Sequence, residues 1–142
     1  LELRKDITRE IRRHKPDVLI TTAPFRTLGQ NYGSSHPDHI AAGEAALSSV
    51  YPTARDRLTF PELLDEGFEP HKVREVWVMS REDADHFNDI SEEDMETALK
   101  ALAAHTSQVP PEAIERVRAW KSENGKVHNM KYAESFRTFT LR

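Results

Sequence analysis

The sequence predicts an α/β fold built on a parallel sheet flanked by helices, and three observations carry this. Helix-like and strand-like patterns alternate along the chain. The two clearest strand patterns, Asp17–Thr22 and Val73–Met79, are short apolar runs rich in β-branched residues, as strands buried on both faces are. A long stretch separates them, as a crossover between parallel strands requires.

The first pattern, Leu1 to His14, is an amphipathic helix with Leu3, Ile7 and Ile11 spaced four apart. It stops at Lys15-Pro16, because proline disfavours helical geometry in the residue before it. The chain opens inside this pattern, with no capping residue and no methionine before it. A carboxyl-terminal portion of a longer protein is therefore expected. After the first strand comes a long connection, Ala23–Ser35, holding Pro24, Gly29, Asn31 and Gly33; connections of this length are usually functional or disordered. Pro37 is well placed as a first helical residue, Ile40, Leu47 and Val50 mark an inward stripe, and Pro52 ends the run. Arg55–Lys72 reads as irregular, broken by Pro61 and Pro70. Ser91 to Asp94 resembles a capping box before Met95, Ala98, Leu99 and Leu102. A last helix is expected from about Pro111 to Glu123, with Gly125 just beyond its end. Phe136–Leu141 is expected as an edge strand. Trp77 and Trp120 sit within apolar patterns and read as core residues.

Composition bounds the function. At 142 residues the chain reads as a single domain. Leu, Ile, Val and Phe make up about 22% of it, just above the ~20% below which disorder is the default. A net charge of −4 argues against a dedicated nucleic-acid surface, which carries a basic excess. No apolar run approaches the roughly 18 residues of a membrane span, and no signal peptide is visible; a cytoplasmic protein is expected. The absence of cysteine excludes disulfides, thiolate zinc sites and a thiol nucleophile. Seven histidines direct attention to where they cluster.

They cluster at Ser34-Ser35-His36-Pro37-Asp38-His39-Ile40. This segment follows a buried strand and opens a helix, which in open α/β sheets is where ligands bind. His36 and His39 are three apart, so one helical turn presents both on roughly the same side. Asp38 is placed to orient an imidazole by accepting its N–H. The pattern alone leaves open a metal or catalytic role and a plain surface or capping role. A catalytic zinc takes three protein ligands and a water, and this segment supplies one or two.

The run NYGSSHPDHIAAGEAAL resembles the second signature of the PIG-L/LmbE-like family, zinc-dependent N-deacetylases acting on N-acetylglucosamine-type conjugates. KPDVLITTAP resembles the strand before that signature. VYPTARDRLTFPELLDEGFEPHKVREVWVM and ALKALAAHTSQV resemble the family's bacterial branch, so the likeness covers nearly the whole chain. It implies a Rossmann-like sheet that is incomplete in this chain, Zn2+ as cofactor, and an amino-sugar conjugate as substrate. It further implies His39 as a zinc ligand, His36 as the catalytic histidine that stabilises the oxyanion and protonates the leaving amine, and Asp38 as the carboxylate orienting His36. The family's first signature, of the form Ala-His-Pro-Asp-Asp-Glu, supplies the other ligands and the general base, and no such run stands in these residues. Asp83-Ala84-Asp85-His86 has neither the order nor the position and reads as a solvated acidic turn. Tyr32 stands four before the box rather than two, so no carbonyl-assisting role is assigned to it.

The implied partners are the substrate and the upstream part of the same polypeptide, and a homo-oligomer is compatible with the sequence. Half an active site also suits a non-catalytic binding or scaffold module that keeps the fold. A phosphohydrolase with His and Asp ligands would need further ligands in this chain, and none stands out.

Overall fold

The computed structural model describes residues 1–26, 36–79 and 83–142. Five α-helices, one π-helical segment (Ser49–Thr53) and four strands lie among them: α1 (Glu2–His14), β1 (Val18–Thr21), α2 (Pro37–Ser48), α3 (Glu62–Asp65), β2 (Glu75–Met79), β3 (His86–Asp89), α4 (Glu92–Ala103), α5 (Pro111–Lys126) and β4 (Ala133–Thr140). The fold is α/β, a four-stranded sheet in the order β1-β2-β4-β3 with flanking helices. As expected, β1 and β2 run parallel, Val18 opposite Glu75 and Ile20 opposite Trp77. Contacts gather the chain into two compact units: Leu1–Ser80 with Arg137–Arg142, and Arg81–Phe136.

In the first unit, Val76 and Val78 of β2 join Ile11, Val50, Ala54 and Val73 in the core, with Ile7, Leu19 and Leu47 packed around them. The helical stripe differs from the expected one. Of Leu3, Ile7 and Ile11 only Ile11 is buried, and the inward positions beside it are Thr8 and Arg12. The Thr8 and Thr53 hydroxyls meet at 2.6 Å, and Arg12 binds backbone carbonyls of the 53–59 turn. Hydrogen bonding by Thr8 and Arg12 shares this face with the apolar contacts of Ile7 and Ile11. α1 ends in a left-handed residue, Lys15 at φ 49°, whose N–H closes on the Ile11 carbonyl.

In the second unit, Met95 and Leu99 of α4 pack on Tyr132, with Ile90, Ile114 and Val117 around them. The expected cap forms: Ser91 Oγ accepts the Asp94 N–H at 3.1 Å. β3 pairs antiparallel with β4. The Asp83–His86 stretch therefore leads into a strand that begins at His86. Gly125 lies inside α5 rather than past it. A Cβ there would stand 2.5 Å from the Met130 carbonyl oxygen, so the returning chain requires glycine at this point. β4 is not an edge strand but lies between β2 and β3, and its first half is largely buried. Trp77 and Trp120 are half-buried. No helix among the described residues is long and apolar enough to cross a membrane.

Candidate active site

His36 is the N-cap of α2, Pro37 its first residue, and Asp38 and His39 complete the opening turn. That turn is held at the carboxyl end of β1 by two features. Thr22, the residue after β1, donates its Oγ1–H to the His39 carbonyl at 2.6 Å. One turn further on, buried Gly43 lets the helix rest on the backbone leaving β1. A Cβ on it would lie 2.5 Å from the Thr22 carbonyl oxygen and 3.1 Å from Ala23 and Pro24 backbone atoms.

His36 and His39 are brought together, with ring centroids 5.6 Å apart and planes inclined at 50°. Both residues, and Asp38 between them, are exposed. The hydrogen bond expected from His36 to the Asp38 carboxylate is not formed, since Nδ1 lies 3.9 Å from Oδ2. Instead His36 Nδ1 accepts the backbone N–H of Asp38 at 3.2 Å. The helix N-terminus has unsatisfied N–H groups, and the imidazole answers one of them as a capping oxygen would. The consequence is chemical: a ring nitrogen that accepts carries no proton, so the neutral imidazole holds its proton on Nε2. The expected carboxylate bond needs a proton on Nδ1, and the two arrangements exclude each other.

Ser34, Ser35 and Tyr32, with most of the long connection, lie outside the described residues. Among the described residues no group of three or more His, Asp or Glu side chains is placed to hold a metal. Thr22 and Gly43 are positioning residues that the motif did not reveal. Gly43 carried a signal nonetheless, because glycine in a helix interior is unfavourable by about 1 kcal/mol and marks a close approach. Gly43→Ala should therefore destabilise the chain by about 1–3 kcal/mol in urea unfolding, the overpacking exceeding the gain in helix propensity. A more stable alanine variant would disprove the close approach.

No family model matches the sequence, and no curated protein matches it. Solved structures do. N,N'-diacetylchitobiose deacetylase from Pyrococcus horikoshii aligns with a TM-score of 0.82 at 27% identity, over 98% of this chain and 51% of its own. A conserved protein from Thermus thermophilus aligns with a TM-score of 0.73 at 23% identity, over 95% and 57%; at that identity the likeness is one of fold. The chain spans about half the length of the structures it matches.

Proposed function

We propose that this chain carries part of the active site of a zinc-dependent N-deacetylase of the PIG-L/LmbE-like kind, removing acetyl from an N-acetylglucosamine-type conjugate. The observation that carries the reading is the His36–His39 pair, fixed at the carboxyl end of β1 in a fold that matches a chitobiose deacetylase.

The residues present suit one flank of a zinc site. His39 is the ligand this chain offers, and the remaining protein ligands come from outside the described residues. Bound zinc lowers the pKa of a water and polarises an amide carbonyl. The work of this chain's own residues centres on His36. Its Nε2–H donates to the oxygen that gains charge as the amide carbonyl becomes tetrahedral. The helix N-terminus adds a partial positive charge of the same sense. Collapse to acetate and free amine requires a proton on the departing nitrogen, and His36 delivers it from Nε2. For that step the ring has taken up the proton released by the attacking water, and giving Nε2–H to the nitrogen returns it to the neutral form. A proton on Nδ1 ends the cap to the Asp38 N–H and turns that nitrogen toward Asp38 Oδ2, 3.9 Å away. Asp38 thus serves both protonation states, the neutral ring through its backbone and the charged ring through its carboxylate.

The test is acetate release. The in-frame polypeptide containing this chain, loaded with zinc, should release acetate from N,N'-diacetylchitobiose or a related N-acetylglucosamine conjugate and stop when the metal is chelated. The 142-residue chain alone should show no turnover, for want of ligands. No release from any N-acetylated amino sugar by the metal-loaded polypeptide would leave the binding or scaffold module as the function.

A further inference from the structure

The segment leaving β1 is clamped against α2. Thr22 donates its hydroxyl to the His39 carbonyl at 2.6 Å. The Thr22 carbonyl oxygen, Ala23 and the Pro24 nitrogen all lie within 3.1 Å of where a Gly43 Cβ would stand. His39 and Gly43 are four apart and share one side of the helix. The chain leaving the sheet therefore runs along the side of α2 that carries His39. Proline then stiffens the path, holding its own φ at about −65° and keeping Ala23 extended.

Phe25 comes next, and it is 53% exposed. Three residues span at most about 11 Å, so Phe25 cannot stand far from Thr22, which touches the backbone of His39. Single exposed apolar residues are ordinary on a protein surface. This one is set apart by its place, on a stiff and clamped backbone at the strand end where ligands bind. Among the described residues of the connection between β1 and α2 it is the only large apolar side chain. Its neighbours Thr22, His36, Asp38 and His39 are polar and suit an acetamido group and hydroxyls. A ligand site combines such groups with aromatic surface, and Phe25 supplies that surface here.

We propose that Phe25 forms the subsite for the sugar ring adjoining the one that is deacetylated, with its phenyl face stacked on that ring's C–H face. The inference rests on the amino-sugar reading above and assigns a residue to the preference for substrate length. In a glucose-type pyranose the substituents are equatorial, so each face presents axial C–H groups. Those groups are apolar and slightly positive, and they match the negative face of an aromatic ring. The paired imidazoles, 5.6 Å apart, serve the acetamido group, and the three-residue step from Thr22 sets Phe25 one ring further out. Phe25 touches no reacting atom, so its contribution is uniform binding, felt in KM and not in kcat.

The experiment titrates N,N'-diacetylchitobiose and N-acetylglucosamine by calorimetry into the zinc-loaded polypeptide containing this chain, in a His36→Asn background so that the sugars survive the titration. Phe25→Ala should weaken the disaccharide about three- to tenfold, as the loss of one aromatic contact does, and leave the monosaccharide within about twofold. Phe25→Trp should restore disaccharide affinity, and Phe25→Leu should fall between, since it keeps apolar bulk without a flat face. The side chain is exposed, so all three variants should melt with the parent. With His36 intact, acetate release from the disaccharide should show the same loss in KM at unchanged kcat. Disaccharide affinity indifferent to Phe25→Ala, an equal loss for both sugars, or no binding of either sugar would overturn the proposal. Acetate release with unchanged disaccharide affinity would sink this subsite and leave the deacetylase reading standing. Phe25-dependent binding without acetate release would do the reverse.

Discussion

In the zinc-loaded polypeptide containing this chain, His36→Asn is expected to retain its metal and lose turnover by on the order of 10²–10⁴-fold. The choice of asparagine matters, because His36 has a structural task as the N-cap of α2. Removing a cap costs typically about 1 kcal/mol, and alanine would confound that loss with the chemical one. Asparagine keeps a capping oxygen and removes only the imidazole. A variant with parental thermal stability, parental zinc content and lost turnover would assign the chemistry to Nε2. His39→Ala should behave differently, losing zinc in proportion to activity, since the ligand itself is gone. Asp38→Asn keeps the backbone N–H that fixes the neutral ring and removes only the carboxylate offered to the charged one. Its loss of turnover should therefore be smaller than that of His36→Asn. If His36→Asn loses metal as readily as His39→Ala, the roles assigned to the two histidines are wrong.

The parts of this site that local pattern determines were legible in the sequence. A β-branched run followed by a loop and a proline-led helix placed His36 and His39 at a strand's carboxyl end, and β1 and α2 lie there. The parallel pairing followed from the length of the crossover. What was not legible depends on partners distant in the chain. The bond that fixes His36 comes from the Asp38 backbone rather than its side chain, because an open helix end offers N–H groups that a residue list does not display. β3 holds a single large apolar residue, Phe87, and forms through pairing with β4 rather than through any pattern of its own. β4 reads as an edge by position in the chain, yet later pairing places it inside the sheet. Gly125 reads as a helix stop until Met130 is seen crossing it. The further ligands that the proposed zinc site requires are not legible in these residues as a motif.

The widest gap between pattern and structure is at Arg12, and it carries the largest expected effect on stability. A hydropathy reading puts this residue in water, yet it is 1% exposed. Its Nη2 donates to the carbonyls of Thr53 at 2.8 Å, Asp56 at 2.7 Å and Thr59 at 3.2 Å, and its Nε to that of Ala54 at 3.4 Å. Burial pulls the guanidinium below its ordinary pKa, opposed by the nearby Asp56 carboxylate. Replacing a buried charge with an apolar side chain is often nearly neutral when both partners of a pair are replaced. Here the acceptors are backbone carbonyls, which no substitution at position 12 removes. Arg12→Met would leave several of them without a donor at about 1–3 kcal/mol each, offset in part because a charge is no longer desolvated. The net loss should be about 3–5 kcal/mol, seen as a fall in Tm of roughly 10 °C or more. Arg12→Lys should fall between, because an ammonium near the Nη2 position keeps a donor for the Thr53, Asp56 and Thr59 carbonyls but gives up the Nε bond to Ala54. The turn that Arg12 holds follows the π-helical segment Ser49–Thr53, kinked at Tyr51, that succeeds α2, and the other end of α2 carries His36 and His39. Loosening it should therefore raise amide exchange along α2 as well as lower Tm. An Arg12→Met variant melting within a degree or two of the parent would mean that water replaces the guanidinium at those carbonyls, and that the 53–59 turn is held by its apolar contacts alone.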